Sequence, residues 1–350
     1  MHCCIFATMH LKYFAYPLQF KNPFVLAAGT RLSTPAVFIK LEQDGIYGWG
    51  EAAMPPYVTE TQHTVITFLQ AINLSTLDAN DDVKPLLNYI NNQPSNYFAK
   101  AALSNALLDW WCKKNGLSLK EYFIKNNPSS LPDCCYTITI GDNIMSSIEN
   151  AKKFNLIKIK AGFENDIEFI KSVATLWPKK LGIDANQGWK DVPTALNKLN
   201  ALKSLNLEFI EQPLPKNDFH AAYQLYQQST ACIIADESFQ TASDLSKIMT
   251  CYHGINIKLL KCGGVANAFE IAQTAKKAGL KLLLGCMSES SCGIAAAAAI
   301  QCLFDWADLD GPLLINNDPF EGISYSDGKV IISSPIGAGV MPKQEWLSMI

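Results

Sequence analysis

LIKIK (156–160), LGID (181–184), LEFIE (207–211), CIIAD (232–236) and INIK (255–258) are five short apolar runs. Each ends in a charged residue: Lys160, Asp184, Glu211, Asp236 and Lys258. The closing residues recur at intervals of 22 to 27 positions. Each run has the length of a buried parallel strand, and a helical stretch stands before the next. In a barrel of such strands the residues at the carboxyl ends point into one shared mouth. The implied mouth holds three carboxylates flanked by two lysines.

Working outward, the same pattern predicts eight strands, at 136–140, 156–161, 181–184, 207–211, 232–236, 254–258, 281–285 and 304–308, with seven helical segments between them. The eighth is followed by GPLLINNDPF (311–320) rather than a helix, then by a hairpin, ISYSDGKVIIS (323–333), turning at Asp327-Gly328. GIAAAAAI (293–300) reads as a helix packed close on the barrel. Upstream, LKYFAYPL (11–18), PAVFIKL (35–41) and IYGWGEAA (46–53) alternate like strands, with a turn at Gln43-Asp44-Gly45; residues 61–114 are helical in period. The fold expected is a (β/α)7β TIM-like barrel with an N-terminal α+β capping domain completed by the C-terminal tail. The divisions are 1–115 for the cap, 116–320 for the barrel and 321–350 for a segment returning to the cap.

A chain of 350 residues, 49% hydrophobic and 17% charged, is that of a compact globular enzyme. A net charge of −3 without a basic block argues against nucleic acid or an anionic membrane as partner. No apolar run reaches the length of a spanning helix. The 11 cysteines are odd in number and form no CxxC; Cys3-Cys4 and Cys134-Cys135 are neighbours ill placed to bridge. A reduced cytoplasm is the setting expected. MHCCIFATM lacks a basic start and a cleavage site, and Met9 is a plausible natural start, leaving residues 1–8 as an extension.

Asp184, Glu211 and Asp236 offer only hard oxygen donors, which favours Mg2+ over zinc. One acidic residue at a strand end is commonly a helix cap; three on consecutive strands between lysines point to a metal. Lys158 and Lys160 share one face of a strand, and two close ammonium groups depress each other's pKa, which suits a general base. Lys258 would face Lys160 across the mouth, so that one base removes a proton from a carbon and the other returns one to the opposite side.

IKIKAG, GIDANQGW, EFIEQPLP, IIADES and NIKLLKCGG, in this order, resemble the barrel motifs of the enolase superfamily in its muconate-lactonizing subgroup. The resemblance implies Lys160 and Lys258 as the bases, in preference to Lys261, and Asp184, Glu211 and Asp236 as ligands of Mg2+. It leaves several reactions open: o-succinylbenzoate synthesis, muconate cycloisomerisation, N-succinylamino-acid racemisation and dipeptide epimerisation. Asp308 and Asp310 in WADLDGPLL read on their own as a solvated turn, yet resemble the pair with which dipeptide epimerases hold an α-ammonium group. GCMSES (285–290), with Met287, stands where the family has a substrate loop, and Ser288 departs from the larger apolar residue implied there. Arg31, the only arginine, lies in AAGTRLSTP, where the superfamily has a specificity loop; a guanidinium suits an acidic side chain, though a surface arginine fits the position equally. Lys158, Tyr57 and Thr139 complete the expected substrate-binding set. The reading is a Mg2+-dependent dipeptide epimerase acting on L-Ala-D/L-Glu or similar, with o-succinylbenzoate synthase as the alternative and a non-catalytic binding barrel as a reading of another class. The expected partner is a small-molecule dipeptide, and a homo-oligomer is compatible with the sequence.

Overall fold

Cap strands β1 (His10–Leu26), β2 (Gly29–Gln43) and β3 (Ile46–Ala53) form an antiparallel sheet in that order. The structure, a computed structural model, describes residues 9–26, 29–74, 82–125 and 130–350. Residues 1–8, with Cys3, Cys4 and the expected extension, lie outside the described residues, as do Ala27 and Ala28 of the cap loop. The β2–β3 turn is the two-residue kind that needs positive φ twice, met by Asp44 (54°) and Gly45 (76°). Helices α1 (Gln62–Ala71), α2 (Lys84–Asn92) and α3 (Tyr97–Lys114) follow. The glycines of IYGWGEAA admit α3 to the sheet: a Cβ at Gly48 would lie 2.0 Å from the Ala106 carbonyl, and one at Gly50 1.9 Å from that of Ala102. On its other side α3 meets the barrel, where Asn105 Oδ1 accepts from the Val265 amide at 2.9 Å.

The barrel is a closed ring of eight parallel strands: β4 (Asp133–Ile138), β5 (Leu156–Lys160), β6 (Lys180–Asp184), β7 (Leu207–Glu211), β8 (Ile233–Ala235), β9 (Gly254–Lys258), β10 (Lys281–Gly285) and β11 (Trp306–Asp308). Its floor is apolar. Cys135, Leu156, Phe209, Ile234, Leu283 and Trp306 form an inner cluster, with the Phe209 and Trp306 rings 5.2 Å apart. Phe209 takes its space from β6, where a Cβ at Gly182 would lie 2.4 Å from the ring. With that plug below, inward residues at the other end of the strands are left for chemistry.

Several strand bounds differ from the sequence reading by one or two residues, the last strand being Trp306–Asp308 rather than 304–308, and two differences are larger. The first barrel strand begins at Asp133 rather than 136, because Asp133 and Cys134 pair with Trp306 and Ala307 of the closing strand. After β11 one helical turn does form, Gly311–Leu314, with Pro312 in its first turn where no amide is needed. The buried helix Ser291–Ala298 packs as the small-residue run implies. The hairpin of Ile323–Ser326 and Lys329–Ile332 lies on the barrel, with Cys134 donating to the Gly328 carbonyl at 2.7 Å. Trp346, in the last helix, inserts among Phe14, Tyr16, Phe38, Trp49 and Phe320 of the cap cluster, at centroid distances of 5.2 to 6.1 Å. Among the described residues no helix is long and apolar enough to cross a membrane.

Candidate active site

Register carries the strand ends into one layer: Lys160 pairs with Asp184, and Asp184 with Glu211. Asp236 follows β8 directly and Lys258 ends β9. In the ring of eight, β5 and β9 are four strands apart in either direction, so Lys160 and Lys258 stand on opposite sides of the mouth. The carboxylates occupy the arc between them on β6, β7 and β8. The other arc carries Thr137, Asp308, Asp310 and the loop after β10. A cavity of about 730 Å³ opens here, lined from the barrel by Lys158, Lys160, Asp236, Lys258, Asp308 and Asp310, and from the cap by Arg31 and Tyr57.

Asp184 and Glu211 are buried beneath the lysines, and of the three carboxylates Asp236 alone lines the cavity. All six of their oxygens meet N–H groups. Asp184 accepts from the Asn186 amide (3.0 Å) and Lys160 (2.6 Å), Glu211 from Asn256 (2.5 Å) and Lys158 (3.4 Å), and Asp236 from Lys261 (2.8 Å) and Lys258 (2.7 Å). With the oxygens so turned, no three acidic, His or Cys side chains among the described residues converge on one ion position. The donor chemistry nevertheless fits a hard divalent cation. Burial and then the charges of Asp184 and Asp236 push the Glu211 carboxyl up to about 8, a strain that added positive charge would relieve. Asp184, Glu211 and Asp236 are the side chains that would hold it.

The expected mutual depression of Lys158 and Lys160 does not govern Lys158. Burial lowers its pKa, but Asp308, Glu211 and Asp184 outweigh burial, and Lys158 is held well above the ordinary value. Lys158 is ion-paired to Asp308, with Asp184 3.8 Å away. For Lys258, burial is likewise outweighed, chiefly by Asp236, and its ammonium is held high. Lys261, beyond the strand, donates to the Asp236 and Phe239 carbonyls as well as to Asp236 Oδ1, each at 2.8 Å, and serves as a peg between loops.

Asp308 and Asp310 do not form a solvated turn: they are 5% and 3% exposed. Asp310 accepts from the Thr137 amide at 2.6 Å and is pushed up to about 6 by burial and by Asp308. Asp308 Oδ1 is buried without a hydrogen-bond partner. Thr139 is not among the lining residues; Thr137, on the same face of the chain, lines the cavity in its place. Arg31 lies on β2, paired with Phe24, rather than in an irregular loop. Its guanidinium carbon sits 5.1 to 5.7 Å from the ring centroids of Phe20, Phe24 and Tyr57, a cation–π box. Nη2 donates to Ser288 Oγ at 3.3 Å, Nε has no partner, and no carboxylate among the described residues ion-pairs with it. Tyr57 donates to Met287 Sδ at 3.6 Å.

Three polar groups here escaped the sequence reading. Asn256 shares the inward face of β9 with Lys258, and a Cβ at Gly285 would lie 2.2 Å from its Oδ1; a polar residue two before Lys258 in an apolar strand was the available signal. Gln212 is fully buried, accepting from the Asp236 and Ser238 amides at 3.0 Å each and so joining the loops after β7 and β8. Glu51 on β3 reaches across from the cap and left no local signal.

Residues 9–123 match the family model of the mandelate racemase / muconate lactonizing enzyme N-terminal domain, and residues 144–346 that of the enolase C-terminal domain-like family. The chain is 36% identical over 337 residues to the L-Ala-D/L-Glu epimerase of Bacteroides thetaiotaomicron, covering 95% of this chain and 88% of that one. It is 32% identical to the L-Ala-D/L-amino acid epimerase of Flavobacterium johnsoniae, covering 93% and 97%. Among solved structures, the dipeptide epimerase of Cytophaga hutchinsonii, complexed with Mg and D-Ala-L-Val, superimposes with a TM-score of 0.87 at 26% identity, covering 99% and 98%.

Proposed function

This chain belongs to the mandelate racemase and muconate lactonizing enzyme family of the enolase superfamily and is an isomerase of the racemase and epimerase kind; on that premise we propose that it is a Mg2+-dependent dipeptide epimerase, inverting the α-carbon of the C-terminal residue in L-Ala-D/L-Glu or a similar dipeptide. The observation that carries the reading is the pair Lys160 and Lys258 on strands half a turn apart, with carboxylates on the arc between them. A neutral lysine on one side takes the α-proton, and the opposite ammonium returns a proton to the other face. The net change is configuration alone. Bound Mg2+, held by Asp184, Glu211 and Asp236, supplies positive charge against the negative charge that builds on the substrate carboxylate as the α-proton leaves. Asp184 Oδ2, paired with Lys160, and Asp236 Oδ2, paired with Lys258, are oxygens the cation would take up, so loading the site would release both ammonium groups toward the cavity.

The opposite arc suits the substrate's own charges. The unpartnered Asp308 Oδ1, with Asp310 behind it, offers a seat for an α-ammonium group. Arg31, half-buried and without a carboxylate among the described residues, gains most from an acidic side chain. The nine described cysteines are all free, which supports a reducing cytoplasm.

A dipeptide panel incubated with the purified chain and Mg2+ in heavy water tests the reading by mass spectrometry. Ala-Glu is expected to gain one α-deuterium with inversion. Lys160→Ala and Lys258→Ala should each abolish epimerisation in both directions, while exchange survives for one enantiomer. No exchange in any dipeptide, or full activity in Lys258→Ala, overturns it.

A further inference from the structure

The loop after β10 is tied to the cap at three of its residues. Met287 accepts from Tyr57, Ser288 from Arg31, and Ser290 donates to Glu51. The Glu51 contact is the most developed. Its carboxylate accepts from the Ser290 amide at 2.9 Å, the Ser290 hydroxyl at 2.5 Å and the Gly293 amide at 2.9 Å, joining β3 to the start of the helix Ser291–Ala298. Beside it Glu289 accepts from the Met287 amide at 2.8 Å, inside its own loop. Glycine makes room for Glu289 twice: a Cβ at Gly293 would lie 2.3 Å from its Oε2, and one at Gly311 2.5 Å from its carbonyl oxygen. Glu51 is wholly buried and Glu289 nearly so, and neither has a cation within ion-pair reach among the described residues. A buried carboxylate without a counter-charge is costly, and here its return is the placement of loop amides.

We propose that Glu51 is a positioning residue of the proposed epimerase, holding the loop Cys286–Ser290 so that Met287 and Ser288 meet Tyr57 and Arg31 and so setting affinity at the side-chain end of the dipeptide. The kinetic part rests on the dipeptide reading; the placement of the loop does not. Burial, with Glu289 nearby, pushes Glu51 up to about 8, and burial pushes Glu289 up to about 7. The two therefore hold a proton near neutrality and become like charges in mild alkali. Around them, Lys258 bears on Glu289; Lys158, Asp308 and Asp310 bear on the neighbouring Cys286; and Asp109, Lys113 and Asp318 bear on Cys292.

The test uses the full chain with Mg2+ and two readouts. Hydrogen–deuterium exchange followed by peptide mass spectrometry reads the segment 286–293 without substrate. Glu51→Gln keeps the shape and is expected to speed exchange there about tenfold or more, leaving the barrel strands unchanged. In steady state it should raise KM for Ala-Glu by about tenfold while kcat stays within about twofold. Ser290→Ala, which removes one donor and leaves Glu51 in place, carries the same exchange test should Glu51→Gln fail to fold. Unchanged exchange in 286–293, or exchange raised equally throughout the chain, overturns the proposal, as does a fall in kcat with KM intact. If the wild type turns over no dipeptide, the functional reading falls and the exchange result still decides the role of Glu51.

Discussion

Arg31 spends its charge among aromatic rings and hydroxyls, and that arrangement makes a sharp prediction for one side chain. If a substrate glutamate meets it, Arg31→Ala loses a charge-assisted contact of roughly 1.5–3 kcal/mol, or about tenfold to a hundredfold in kcat/KM for Ala-Glu. Ala-Leu should be nearly unaffected, and equal losses on both dipeptides would reduce Arg31 to a shaper of the cap hairpin. Asn256 invites a second test. Among the described residues it is the sole side-chain partner of Glu211 Oε1, and outer partners of a metal ligand are worth roughly tenfold to a hundredfold in affinity, so Asn256→Ala should weaken Mg2+ binding by that factor in calorimetry. Unaltered affinity would separate Glu211 from the metal. The five strand-end residues were legible because burial of an apolar run forces its last polar residue to the rim. Thr139 was taken where Thr137 lines the cavity, because a two-residue period cannot say which of two threonines on one face stands at the mouth. Glu51 was illegible for another reason: its partners lie 239 and 242 residues away, and no local pattern records such a contact.

At the scale of elements, the barrel floor and the cap each depend on a glycine making way for a neighbour. Gly182→Val would drive a branched side chain into the Phe209 ring, and overpacking of this kind costs about 1–3 kcal/mol. Urea unfolding should show that loss, and the double variant with Phe209→Leu should recover part of it; a neutral Gly182→Val would mean the floor is loosely packed. The strands themselves were readable because parallel strands buried on both faces are nearly continuous apolar runs. Their ends were less so. The run DCCYTITI is apolar on either side of any chosen start, and only pairing with β11 decides it. The helical turn at Gly311–Leu314 is too short for a periodic signal, and Pro312 stands in its first turn.

For the whole molecule, stability should follow pH with a definite sign. Glu51 and Glu289 keep protons in the folded chain up to about 8 and 7, whereas an ordinary Glu releases its proton near 4.5. The folded state thus binds more protons across that window, so this contribution is full below about pH 4.5 and is lost as pH rises through 7 to 8. Asp236 works the other way, held low against burial by Lys258 and Lys261, and its contribution is lost on acidification. Thermal melts should accordingly fall in Tm between pH 6.5 and 8.5, and Glu289→Gln should flatten that slope; an unchanged slope would exclude the pair as its cause. Trp346, packed against rings carried by β1, β2 and β3, has a consequence for biosynthesis. The cap sheet leaves the ribosome early, but the indole that fills its centre is translated roughly 300 residues after β3, about 15–60 s later at common elongation rates. Until then the rings of Phe14, Phe38 and Trp49 have no lid, so the nascent chain carries its stickiest surface longest, and a holdase chaperone would find its binding site there rather than on the barrel.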